Sequence, residues 1–231
     1  MVRSKTLIKI AAALGVLAGL GFLFVRSARD SRSKPYTIDG ERLRNWALVL
    51  DPGSRQSGAS STPGASAASS PPGPMLALRP PPELAMGLFK QVFARAMESL
   101  NAPAVSAIPL LLQGEFDRAF AGRATPDALL GVARNAGLES AAFEPRCLAY
   151  RRVSAPGITR QLYFVLFDAP AFGRFREQIG ALLNGGAGPR ADFDPAALSP
   201  VLFIAASDPM FDRWLPLRAN PGADCVAPIA R

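Results

Sequence analysis

Apolar positions fall into four regimes along the chain. From Leu7 to Val25 they run almost unbroken, LIKIAAALGVLAGLGFLFV, and only Lys9 is charged. Nineteen residues at about 1.5 Å each span roughly 28 Å, which matches a bilayer hydrocarbon core. The run therefore predicts a transmembrane helix, with Lys9 near one end, where its stem can reach the headgroups. Tyr36 to Leu50 holds a shorter apolar cluster that ends in Trp46-Ala47-Leu48-Val49-Leu50. Between 51 and 82 the pattern lapses: eight Pro, seven Ser, five Ala and four Gly take up 24 of the 32 positions. Such a stretch buries too little surface to offset its ordering entropy and predicts a flexible linker. Periodicity returns at Glu83 and continues to the C-terminus.

Within 83–231 the periods alternate between helix and strand. Leu84, Leu88, Val92, Ala96 and Leu100 fall four apart, which predicts an amphipathic helix over 83–100. Thr125-Pro126-Asp127 has the order of a helix start: a hydroxyl cap, proline in the first turn, then an acid. Gly137 is placed to end that helix in the left-handed conformation. Cys147–Val153 and Ile158–Phe167 flank Ser154-Ala155-Pro156-Gly157 and predict a hairpin. Leu162–Phe167 is apolar on both faces, which predicts a central strand. A helix over 171–183, a strand over 201–206, a short helix over 210–215 and a last strand over 225–229 follow. The expected fold class is α+β: one N-terminal transmembrane helix, a disordered linker, then an antiparallel-rich sheet domain with helices packed on it. The expected boundaries are 1–34 for tail, anchor and basic flank, 35–50 for a juxtamembrane segment, 51–82 for the linker and 83–231 for the globular domain.

Charge changes the picture. The chain carries +8, which alone suggests a nucleic-acid partner. Seven cations (Arg3, Lys5, Lys9, Arg26, Arg29, Arg32 and Lys34) and one anion (Asp30) lie within the first 34 residues. The remainder is nearly neutral with interspersed signs, so no clustered phosphate-binding face is expected, and no nucleic acid. The cations flank the apolar run on both sides, which is the distribution around a membrane segment. An uncleaved signal-anchor is favoured over a cleaved signal peptide, because Arg26 and Arg29 crowd the place where cleavage would fall. Gly15 and Gly19 form a GxxxG inside the run, a spacing that lets two helices approach and self-associate.

The flanking charges are too balanced to orient the anchor. The cysteines break the tie. Cys147 and Cys225 are the only two, both distal and without metal-site spacing, which predicts a disulfide in an oxidising compartment. The N-terminus is then cytoplasmic and the body periplasmic or extracellular.

Candidate chemistry is sparse. The chain has no His, the commonest general base and metal ligand. No nucleophile elbow, phosphate-binding loop or Cys/His metal spacing occurs, so no metal, cofactor or catalytic residue is assigned. A quasi-repeat relates Phe164–Arg174 to Phe203–Arg213, each an apolar strand followed by Asp, Pro, Phe and Arg. With both strands pointing the same way, Asp168 and Asp208 would share one sheet edge as an acidic pair. The simpler reading is that each Asp caps a helix. Arg151 and Arg160 fall near each other across the hairpin, where like charges call for an acid or anion, and they mark an anion-binding or partner surface. The expected function is a single-pass, membrane-anchored envelope interaction or accessory protein. It would hold the bilayer through residues 7–25 and another envelope protein through its body, and an enzyme is disfavoured. The alternative is a small-molecule or lipid-binding domain, or a His-free enzyme using Asp168 and Asp208.

Overall fold

The computed structural model describes residues 34–50, 73–96, 98–103, 106–155, 158–184, 193–208 and 218–231. The apolar run at 7–25, with Gly15 and Gly19, lies outside them, as do residues 51–72 and the expected helix at 210–215. Among the described residues no helix is long and apolar enough to cross a membrane. The chain divides into two units, Met1–Pro35 and Tyr36–Arg231, and only the second is described in detail below.

The elements of the second unit run in the order β1 (Tyr36–Thr37), β2 (Ala47–Leu50), β3 (Pro74–Arg79), α1 (Pro82–Ala96), β4 (Ile108–Leu112), α2 (Pro126–Asn135), β5 (Glu144–Ala155), β6 (Ile158–Asp168), α3 (Pro170–Asn184), β7 (Val201–Ala206), β8 (Cys225–Ala227) and β9 (Ile229–Ala230). Short helical turns lie at Gly40–Leu43, Gln113–Phe120 and Pro221–Asp224. The fold is mixed α+β with antiparallel sheets. One sheet is ordered β7-β6-β5-β8 and a second β2-β3-β4, while β1 and β9 pair in parallel.

The hairpin, the central strand and two helix ends follow the sequence pattern. β5 and β6 pair from Glu144↔Asp168 to Ala155↔Ile158. β6 lies inside its sheet, and alternation sends Leu162, Phe164 and Leu166 to one apolar cluster, Val165 and Phe167 to the other. At the start of α2, Thr125 Oγ1 accepts from Ala128 N at 3.2 Å. At its end Gly137 adopts φ 71°, and the backbone bonds Gly137 N to Arg134 O and Leu138 N to Ala133 O complete a Schellman closure.

The organisation around the expected linker is different. Residues 36–50 belong to the body, and so do 73–82. β2 pairs with β3 from Ala47↔Arg79 to Leu50↔Leu76, so residues 51–72 join two strands of one sheet. They fall within the body's own sequence and not ahead of it. The reason lies in Trp46 and β3. Trp46 is 2 % exposed, stacks on Phe143 at 4.7 Å between centroids and meets Phe167 edge-on. Its Nε1 donates to Arg42 O at 2.7 Å, so the polar handle is satisfied inside. β3 is a short apolar run set among prolines, buried from Pro74 to Leu78 between β2 and β4. Its six residues vanish in a composition averaged over the surrounding Pro-rich stretch.

Candidate functional site

The sheet β7-β6-β5-β8 presents a second apolar face made by Cys147, Ala149, Leu162, Phe164, Leu166, Val201, Phe203 and Ala206. Cys147 and Cys225 are joined by a disulfide with Cα atoms 5.7 Å apart. The bond ties β8, the sheet's edge, to β5.

Arg151 and Arg160 border this face and do not lie directly opposite one another. Arg151 pairs with Leu162 and Arg160 with Val153, which makes them diagonal neighbours on one side of the sheet. Each has its own acid. Arg151 Nε donates to Asp224 Oδ1 at 2.9 Å, its Nη2 also meets Asp224, and Nη2 reaches Arg218 O at 3.1 Å. Arg160 Nε donates to Asp208 Oδ2 at 2.9 Å, and its Nη2 meets the same oxygen. Protein carboxylates thus occupy the positions that the sequence reading offered to an anion. Burial by itself would raise the Asp224 carboxyl. Hydrogen bonds from Arg151 and from Asn220 N–H, with the Arg151 charge, outweigh it and hold the group below the usual carboxylate range.

Asp168 and Asp208 are not an acidic pair. β6 and β7 are neighbours but antiparallel, from Leu162↔Ala206 to Leu166↔Val201. Asp168 therefore sits at one end of the sheet and Asp208 at the other. Arg160, the partner of Asp208, is eight residues from Asp168 along β6, or roughly 27 Å. Nor does Asp168 cap α3. The helix begins at Pro170, which puts Ala169 at the cap position, and the Asp168 carboxylate instead meets Arg146 at 3.4 Å. No group of three or more His, Cys, Asp or Glu side chains gathers to hold a metal among the described residues.

Asp168 opens onto a cleft of about 650 Å³ at the start of α3. Phe167, Phe172 and Leu198 give it apolar walls, and Asp168, Glu177 and Arg218 supply charge at its margin. Ser199 also lines it, but its Oγ accepts from Ala219 N at 2.9 Å, with no imidazole in the chain to activate it.

Behind one wall lies a buried ion pair that the pattern reading missed. Arg176 on α3 is fully buried. Nε donates to Pro195 O at 2.7 Å, Nη1 to Leu110 O at 3.0 Å, and Nη2 to Asp194 O at 2.9 Å. Nη1 and Nη2 also fork onto Glu115, at 3.3 and 2.7 Å. Glu115 Oε2 accepts from Leu112 N at 3.0 Å as well. The guanidinium lies 4.8 Å over the Phe193 ring. All five donors are used, which is the condition for a buried charge to be tolerated. The segment also comes close to the helix: a Cβ on Gly180 would meet Pro195 Cγ at 3.3 Å. One signal was present in the sequence. Arg176 lies four residues after Phe172 and three before Ile179, on an otherwise apolar helical stripe.

The chain's three tyrosines gather on the opposite side of the sheet. Tyr150 pairs with Tyr163, rings 5.0 Å apart, and Arg95 sits 4.2 Å over Tyr36. Burial, followed by the charges of Glu98, Tyr150 and Tyr36, pushes the Tyr163 phenol up to about 12. Tyr36 is raised by burial as well, against the opposing pull of Arg95. Both phenols remain neutral in ordinary conditions.

Among the described residues no group of three or more metal-ligating side chains gathers beside the cleft, and the charged side chains around it are engaged with one another or lie at its margin. No family model matches the chain, and no curated protein or solved structure matches it either.

Proposed function

We propose that the chain is a single-pass, membrane-anchored protein whose body lies on the extracytoplasmic side and acts as an envelope interaction or accessory protein. The observation that carries this reading is the Cys147–Cys225 disulfide. Such a bond persists in an oxidising compartment, and the apolar run at 7–25, interrupted only by Lys9 near one end, supplies the anchor. Flanking cations complement anionic headgroups and account for most of the basicity. The paired arginines and the absence of His from the chain favour recognition over catalysis.

The test begins with native membranes. After an alkaline carbonate wash, the full-length chain should stay with the bilayer. Its thiols should resist alkylation until a reductant is added. Cross-linking in intact cells followed by stringent purification should then retain a defined envelope protein. A chain that washes off, or thiols that alkylate without reductant, removes the anchor or the compartment respectively. A body that cross-links to nothing defeats the interaction role.

A further inference from the structure

We propose that α1 lies against the lipid bilayer, with Met86, Phe89 and Phe93 seated at the boundary between headgroups and acyl chains. This rests on the anchor reading above and adds the surface through which the body meets the membrane.

The first support is where the body begins. Because Tyr36 opens the folded unit and 51–72 connects β2 to β3, only residues 26–35 separate the end of the apolar run from the domain. Ten residues reach at most about 35 Å when fully extended. The Pro-rich stretch cannot hold the domain farther away.

The second support is where that tether enters. Thr37 N donates to Gln91 Oε1 at 2.9 Å, and Gln91 Nε2 returns a bond to Thr37 O at 2.9 Å. Arg95, one turn further along the same helix, covers Tyr36. The first residues of the body are thus held directly on α1.

The third support is the free side of α1. Leu84, Leu88 and Val92 are buried in the core. Met86 is 46 % and Phe93 50 % exposed, while Phe89 is half-buried with its ring 5.8 Å from Phe93. Positions 86, 89 and 93 form one stripe at helical spacing, with the exposed Lys90 beside it. An apolar stripe flanked by a cation is what an interfacial helix presents to anionic lipid. Two exposed apolar side chains would bind free vesicles weakly. The tether converts that contact into an intramolecular one at high effective concentration, and Arg26, Arg29, Arg32 and Lys34 draw it toward the headgroups.

The test uses the full-length chain in vesicles of phosphatidylethanolamine and phosphatidylglycerol. Single Met86→Cys and Phe93→Cys variants, with the native disulfide intact, carry an environment-sensitive fluorophore. Leu182→Cys, at an equally exposed position on α3, serves as the reference. Labels on α1 should shift to the blue and be quenched by headgroup-level nitroxide lipids several-fold more than the label on α3. If the chain floats with the vesicles and all three labels respond alike, the docking surface is wrong and the anchor stands. Failure to float sinks the anchor reading and this proposal with it. Blue-shifted α1 labels in detergent that revert on dilution would assign the stripe to a second copy of the chain, which overturns lipid as its occupant.

Discussion

Arg176 and Glu115 set a sharp stability test. Replacing Glu115 with Gln leaves a guanidinium that is fully buried without its counter-charge. Breaking a buried pair from one side typically costs about 3–5 kcal/mol. Arg176→Met acts from the other side. It strands the Glu115 carboxylate and removes the donors to Leu110 O, Asp194 O and Pro195 O. Three lost buried bonds at about 1 kcal/mol each, together with an unpaired charge, give a similar total. For a body of this size that corresponds to a fall in melting temperature of roughly 6–20 °C. The double variant Glu115→Met/Arg176→Met removes both charges, so only the backbone carbonyls remain underserved. It should cost less than the two single losses combined, by at least about 2 kcal/mol. Urea unfolding of wild type, both singles and the double, read by circular dichroism, gives all four corners of the cycle. Singles within about 1 kcal/mol of wild type, or strictly additive losses, would refute the account of a fully engaged buried charge. Because Arg176 also holds the carbonyls at 194 and 195, the same variants should loosen the wall of the cleft beside α3.

Four further expectations follow from the same geometry. The disulfide closes a separation of 78 residues, so reduction or Cys147→Ala/Cys225→Ala should cost about 4–5 kcal/mol in the chain-entropy model, measurable by thermal melting with and without reductant. Asp208→Asn leaves the half-buried Arg160 short of its acid and should cost about 1–3 kcal/mol, whereas Asp168→Asn, at an exposed pair, should stay within about 0.5 kcal/mol; a large synergy between them would revive a shared site. The Asp224 carboxyl is depressed in the folded state, so its contribution is complete above the unfolded value near 3.8 and fades as pH falls through the folded one; acid melting curves of wild type should steepen there relative to Asp224→Asn. The Tyr163 phenol is raised, so the unfolded chain releases that proton first and stability should fall between about pH 10 and 12, a loss that Tyr163→Phe reduces; ultraviolet titration should show a phenol ionising near 12.

The parts of the fold that were legible in the chain are those governed by local rules. The Thr125 cap, the Gly137 closure, the hairpin and β6 as an inner strand each depend on a few adjacent residues, and each is found. β3 and β4 were missed because a short buried strand has no period to distinguish it, and Pro74 and Pro109 lie within them. The two aspartates illustrate the harder limit. The repeat around Asp168 and Asp208 is genuine in sequence, yet its meaning depended on the relative direction of β6 and β7, which nothing local specifies. The two arginines marked an anion-binding or partner surface in sequence, but the acids they meet lie 48 and 73 residues further on, at Asp208 and Asp224.

By itself, then, the amino-acid order determined where charge concentrates, that histidine chemistry is absent, which two cysteines can pair and where the locally governed elements lie, the hairpin β5–β6 and helices α1, α2 and α3. Those properties follow from composition, spacing and backbone preference. Tertiary structure decided that 36–50 and 73–82 belong to the body, that Asp168 and Asp208 lie apart, and that Arg176 is buried with Glu115. These depend on strand direction and on contacts between distant segments, where the gain from burying Trp46 or satisfying a guanidinium exists only once the partners have met.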